Sequence, residues 1–376
     1  MEEKKTIGII FLENNRIFTF GSDRGRLGNS SINLLFRSSH PIFARKQSVT
    51  MKTKDRSLLF LALGAALGIG MTILCSNQQV SDDEYPRSET ASIVSSPKVP
   101  ASMEFAGQQV DLRRADLHER MDREILAFTY SHQLTLLMLK RANRFFPVIE
   151  PILKEYGIPD DLKYLMVIES NLDPKIKSPA GAAGLWQFMQ ASGREYGLEV
   201  NDNIDERYHV EKSTRAACKY LKSLYYRFGD WMTVAAAYNG GPGGVQKKQA
   251  SQGVQSSLDM QLVEETSRYM FRILAAKIVF TQPQRYGFVL RSEDLYPYIP
   301  PKEVVTITTE IADLTAFAKQ YDITIAQLKA ENPWLRENTL NNKSGRTYQI
   351  KIPDEKALFY DPKATVAHDK AWVVDR

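Results

Sequence analysis

The spacing of apolar and polar positions divides this 376-residue chain into stretches of different texture. Residues 57–75, "SLLFLALGAALGIGMTILC", carry no charge and follow the basic "MKTKDR". A basic flank before such a run predicts export with the basic side left in the cytoplasm, and the run is only just long enough to span a bilayer. Three fates fit it: an uncleaved anchor, a lipoprotein signal ending at Cys75, or ordinary cleavage. Leu74 fits a lipobox poorly, and no A-x-A site follows. Residues 1–50 read as an N-terminal extension, with Met51 as an alternative start. Residues 76–103 are rich in Ser, Pro and acids, which predicts a disordered tether.

From about Asp116 to Phe280 the period is helical. Ala217, Tyr220, Leu221, Leu224, Tyr225 and Phe228 recur at i, i+3, i+4, and Gly229 stops that helix. The recurrence places Tyr225, Tyr226 and Phe228 in the core rather than on a sugar platform. Asp230 caps a short apolar helix through Trp231, Val234, Ala235 and Tyr238, which "NGGPGG" ends. "LVEETSRYMFRILAAKIVF" closes the helical region before Pro283. Beyond "YPYIPPKE" the texture changes: "VVTITTEI" alternates, two short helices follow, and "TYQIKIP" alternates again. The expected architecture is mainly α, with a small α+β module of βααβ order. Boundaries fall at 104–300 for the helical domain, 301–353 for the module and 354–376 for a tail.

Charge changes the picture little. The pI near 8.9 suggests nucleic acid, yet residues 1–56 hold eleven Lys or Arg against five acids, and the remainder is balanced at 38 against 39. Without a basic patch on a folded domain, no nucleic-acid partner is expected. Two cysteines exclude a disulfide framework, and Cys218, on an aromatic-rich helix, reads as a small buried hydrophobe. Five histidines in no metal-binding spacing, and no P-loop, leave no metal or cofactor expected.

One carboxylate stands out, in "YLMVIESNLDP". Pro159 suits the first helical position, and Asp160 and Asp161 suit a helix N-terminus. At 100° per residue from Leu162, Leu165 falls at about 300°, Met166 at about 40° and Glu169 at about 340°. Glu169 therefore lies mid-face among apolar neighbours. Ionisation there is costly, so its pKa should rise, as in a glycosidase general acid. A structural ion pair explains the position equally well. Asp173, four residues on and beside Pro174, reads as a helix-ending residue. "SPAGAAGLWQFM" then sets a small-residue loop before Trp186, Gln187 and Met189, where an indole beside an amide can stack on and bind a sugar.

"MVIESNLDP", "SPAGAAGLWQFM" and "AAAYNGGPGGV", in that order, resemble the lysozyme-like catalytic domain of family 1 lytic transglycosylases, in particular the membrane-bound D type. The resemblance covers roughly residues 104–290. It implies that Glu169 is the single catalytic acid and base, and that Ser178 contacts an N-acetyl group. It also implies that Gln187 and Met189 line the cleft, that Tyr238 and Asn239 flank the reacting sugar, and that Tyr269 belongs to the cleft wall. Trp186 stands where many relatives have Met, and Gly240 where Ala is commoner. The implied substrate is the peptidoglycan glycan strand, cut between N-acetylmuramic acid and N-acetylglucosamine with closure of a 1,6-anhydro ring. A hydrolytic muramidase and a catalytically idle wall-binding scaffold are the alternatives. The module at 304–353 resembles a LysM domain, although "TTEIADLTAF" lacks the usual Gly-Asp-Thr-Leu turn. The implied location is periplasmic, held to a membrane through the N-terminal segment.

Overall fold

The computed structural model describes residues 11–13, 16–18, 95–343 and 345–374. The apolar run at 57–75, Cys75 and the tether up to residue 94 lie outside the described residues. In the first unit, β1 (Phe11–Glu13) pairs antiparallel with β2 (Arg16–Phe18). Everything below concerns the second unit, residues 92–376.

That unit opens on a hairpin the sequence reading assigned to the tether at its first two residues. β3 (Ser102–Phe105) and β4 (Gln108–Asp111) pair antiparallel around Ala106 and Gly107, both at positive φ, 51° and 83°. Two positive φ values match the twist of a two-residue hairpin loop. The Ala106 amide donates to Asp161 Oδ2 at 2.7 Å, and Lys277 Nζ donates to the same oxygen at 2.7 Å. The hairpin is thus fastened to Asp161 and, through Glu104 O, to Lys277.

The helical stretch comprises α1 (Ala115–Tyr130), α2 (His132–Glu155), α3 (Lys163–Ser170), α4 (Gln190–Glu195), α5 (Val210–Phe228), α6 (Trp231–Gly240), α7 (Pro242–Gln252) and α8 (Glu264–Thr281). α8 is the hub, packing on α1, α3 and α6. On α1, buried Glu124 accepts a two-pronged bond from Arg268 of α8, which offsets the cost of desolvating the carboxylate. α6 buries its first seven residues, and Asp230 caps it by accepting from the Thr233 amide at 2.7 Å. Gly229 ends α5 at φ 67°, as expected.

Three local expectations are corrected. Pro159 is not the first helical residue; it sits in extended backbone (ψ 137°) before the turn Asp160–Leu162 that leads into α3. "NGGPGG" both stops and starts: Gly241 at φ 79° ends α6, and Pro242 takes the first position of α7, a helix its glycines disguise. Tyr225 and Tyr226 are not core residues. The buried stripe of α5 runs through Ala217, Leu221 and Leu224, so Tyr226 points to solvent, 96% exposed, and Tyr225 stacks flat on Trp231 at 4.1 Å. Phe228 is half-buried against the core, and Cys218 is fully buried, its thiol pushed up to about 12 by burial.

The module has the expected order: β5 (Glu303–Ile307), α9 (Leu314–Lys319), α10 (Ile325–Glu331) and β6 (Tyr348–Ile352), with Val305 opposite Ile350. The turn missing from its opening is replaced by Asp313, whose carboxylate accepts from the Thr315 amide at 2.7 Å and caps α9. The module is not a separate bead. Ala183, Ile204 and Tyr208 of the helical domain are buried in its core beside Leu314, Trp334 and Ile350. Backbone bonds join Asp205 N to Trp334 O and Arg336 N to Asn203 O, each at 3.0 Å.

The stretch expected as a tail returns to the helical domain after α11 (Glu355–Leu358). Trp372 is buried between Phe146 and Phe280 and donates its indole N–H to Phe280 O at 2.8 Å. The His368 amide donates to Asn143 Oδ1 at 2.7 Å, and the Val374 amide to Leu290 O at 2.8 Å.

Candidate active site

Glu169 occupies the last turn of α3, which Asn171 ends in the left-handed conformation at φ 49°. Arg141 secures that turn by donating to Asn171 O at 3.0 Å. As the helical phase predicts, the carboxyl group is packed among protein atoms, while the residue keeps partial access to solvent. Burial pushes its pKa up to about 7; the Tyr269 hydrogen bond pulls the other way, and the charge of Glu265 adds to the rise. The sequence left open whether a buried cation neutralises Glu169. Its bonded partner is instead a neutral hydroxyl: Tyr269, buried on α8, donates to Glu169 Oε1 at 2.7 Å. Asp173 is committed elsewhere, accepting from the Lys175 amide at 3.0 Å and lying 3.4 Å from Arg141.

Tyr269→Phe removes the hydrogen bond that lowers the Glu169 pKa. The variant is expected to titrate above about 7 at this carboxyl, read by carbon-13 NMR of labelled glutamate. An unchanged or lower value would contradict the bond.

Tyr238 and Asn239 arrive on the last turn of α6. The Tyr238 hydroxyl donates to Trp186 O at 2.7 Å, which ties α6 to the Gly/Ala loop. Burial raises the Tyr238 pKa well above the usual tyrosine value, with the charge of Glu169 contributing next, so the phenol stays neutral. Thr266 donates to Asn239 Oδ1 at 2.8 Å, and among the described residues the amide NH2 has no hydrogen-bond acceptor. Gly240 has a local reason here: a Cβ at that position would lie 2.8 Å from Thr266 Oγ1.

The loop at 176–188 is closed by its own backbone. Ser178 Oγ accepts from the Ala182 amide at 3.0 Å, and the Ser178 amide donates to Ala182 O at 2.8 Å. Gln187, at φ 47°, donates its amide to Gly184 O at 2.8 Å, so one end of that side chain holds the loop and the carbonyl oxygen is left. Met189 is 45% exposed just before α4. Among the described residues no hydrogen bond links Ser178, Gln187 or Met189 to Glu169, whereas Tyr269 is bonded to it directly. Trp186 is a correction. Its ring is fully buried and its N–H donates to Thr214 Oγ1 at 2.9 Å, so it is a core residue and not a sugar platform.

The residue that organises this loop is Arg207, which sequence reasoning missed. It is 1% exposed and grips Asp205 with two bonds, Nε to Oδ1 at 2.9 Å and Nη2 to Oδ2 at 2.7 Å. Its remaining nitrogen, Nη1, donates to Gly181 O at 2.7 Å and Phe188 O at 3.0 Å, drawing the two sides of the loop together. Gly184 lies against the same segment at φ 74°, and a Cβ there would meet Arg207 O at 1.9 Å. Nothing in "DERYHV" marks this role. Thr266 was more accessible to inference, since it precedes Tyr269 by three residues on one helix face.

Among the described residues no group of His, Cys, Asp and Glu is placed to hold a metal ion. What the site offers is one carboxylic acid poised near neutrality, a phenol bonded to it, and an amide and a second phenol alongside.

Comparison with known proteins agrees in both halves. Residues 147–261 match the family model for the Transglycosylase SLT domain, and residues 303–356 that for the Soluble lytic transglycosylase C-terminal LysM-like domain. The chain is 30% identical over 246 residues to the membrane-bound lytic murein transglycosylase D of Escherichia coli (strain K12), covering 64% of this chain and 52% of that protein. It is 30% identical over 114 residues to the soluble lytic murein transglycosylase of the same strain, covering 28% and 18%. The crystal structure of the 70 kDa soluble lytic transglycosylase of Escherichia coli aligns at 25% identity and a TM-score of 0.30, over 35% of this chain and 24% of that one. The chain thus spans about half the length of the first of these relatives.

Proposed function

We propose that this chain, which carries a transglycosylase SLT domain followed by a LysM-like domain, is a lytic transglycosylase of peptidoglycan. It cleaves the β-1,4 bond between N-acetylmuramic acid and N-acetylglucosamine. The observation that carries the proposal is the buried acid Glu169, half-protonated near neutral pH, with the nearby Asp173 engaged by other partners.

Most glycosidases divide the work between two carboxylates. Here one group acts twice. Protonated Glu169 gives its proton to the glycosidic oxygen, the bond from C1 to that oxygen breaks, and the 2-acetamido group of the substrate stabilises C1. The resulting carboxylate takes the proton of the sugar's own O6 hydroxyl as O6 bonds to C1. The acid is regenerated, no water enters, and a 1,6-anhydro end remains. Tyr269 holds the carboxyl in place and stabilises its charged form between the two transfers. The NH2 of Asn239 and the hydroxyl of Ser178 are the groups offered to the sugar, with Gln187 and Met189 along the same cleft.

Export and membrane attachment through residues 57–75 complete the proposal. They are supported by the basic flank of that run and by the name of the D-type relative. No helix among the described residues is long and apolar enough to cross a membrane.

The test is mass spectrometry of digested cell walls. The expected products carry 1,6-anhydromuramic ends and are one water lighter than hydrolysis products. Products of the hydrated mass alone would assign a muramidase instead, and no release at all would assign an idle scaffold.

A further inference from the structure

A cavity of about 390 Å³ opens where α5 faces the module. Lys212, Arg215 and Lys219 lie at i, i+3 and i+7 on one face of α5, and the module supplies Arg346 and Tyr348 opposite them. One carboxylate lines the cavity, Glu206, and it is 3% exposed, with one oxygen bonded to Lys212 and the other to the Glu199 amide. Lys212 is therefore committed. Arg215 donates to both oxygens of Glu155 at 2.6 Å in a pair half-exposed on both sides, and Arg346 lies 3.5 Å from Glu199 with half its side chain in solvent. Exposed pairs of this kind contribute little and exchange partners readily. Lys219 is exposed on the same rim. The cavity thus presents cations to solvent and keeps its acids behind them, a lining suited to carboxylates.

Aromatic contacts connect the cavity to the active site. Tyr196, on its wall, lies 5.1 Å from Tyr220 between ring centres, and Tyr220 lies 5.3 Å from Tyr238. Two such steps are about the reach of three extended peptide residues, ~10 Å.

We propose that this junction cavity is a binding subsite for the carboxylate-bearing peptide that hangs from the muramic sugar of a strand held in the cleft. The inference rests on the peptidoglycan reading above and adds a second point of recognition to it. Because one wall belongs to each half, the subsite exists only while the module is docked.

The experiment measures affinity of the Glu169→Gln chain, which does not turn over, for two disaccharide-peptides. One carries free peptide carboxylates; in the other they are amidated. The free acid is expected to bind more tightly, and Lys219→Glu with Arg346→Glu to weaken it about ten-fold while the amidated form serves as reference. An equal loss for both ligands, or no loss for either, would overturn the subsite. The two readings fail separately. Absence of anhydro products from the unmutated chain refutes the enzyme; their presence with charge-insensitive binding refutes the cavity alone.

Discussion

Glu169→Gln is expected to lower cell-wall cleavage by about 10³-fold, the scale of losing a positioned acid and base. It is also expected to make the protein more stable above neutral pH. The unfolded carboxyl titrates at its ordinary value of 4.5 and the folded one at about 7, so between these pH values the folded state holds more protons. Stability therefore falls as pH rises through that window and stays low above it. A shift of this size corresponds to roughly 3 kcal/mol. Glutamine is isosteric, cannot ionise and still accepts from Tyr269, so the variant escapes the penalty. Its melting temperature should match the parent below pH 4.5 and exceed it above pH 7. Equal melting temperatures at pH 8 would mean that Glu169 is not destabilised by burial, and unchanged cleavage would remove it from the mechanism. The same titration sets the pH dependence of the first step: activity limited by proton donation declines as pH rises through about 7.

Arg207→Met is expected to have the largest effect on folding, a loss of about 3–5 kcal/mol. The substitution strands the nearly buried Asp205 charge and leaves Gly181 O and Phe188 O without their donor. For a domain of this size the melting temperature should fall by about 10 °C. Adding Asp205→Asn should restore part of the loss, because the stranded charge goes with it. Arg207→Lys should behave as an intermediate, keeping the charge without the planar fork. A melting temperature within about 2 °C of the parent for Arg207→Met would show that the loop is held by its own backbone alone.

The contrast between these two residues shows what the sequence made legible. Glu169 could be found because a helix converts spacing into direction, and a carboxylate on an apolar face contradicts its surroundings. Arg207 could not, because its partners are carbonyls 19 and 26 residues away, and a carbonyl leaves no trace in the residue type. The same limit explains Trp186: the order of residues places an indole beside the loop, but only packing decides which way it turns. The hairpin at 102–111 carried a signal that went unread, the Ala-Gly pair between alternating segments. The helix α7 carried one that argued against itself, since two glycines in its first turn outweigh a proline at its start. In the module the order of elements was plain, yet its burial against Ala183 and Ile204 was not, because those two residues look like ordinary loop positions.

The closing strap of residues 365–374 bears on how such a protein comes into being. Its indole completes a hydrophobic slot built by residues made more than 90 positions earlier, on α2 and α8. Contacts that join distant parts of a chain form late. The helical domain therefore stays unfinished until the strap has docked on it. Clipping before Trp372 leaves that slot open to proteases.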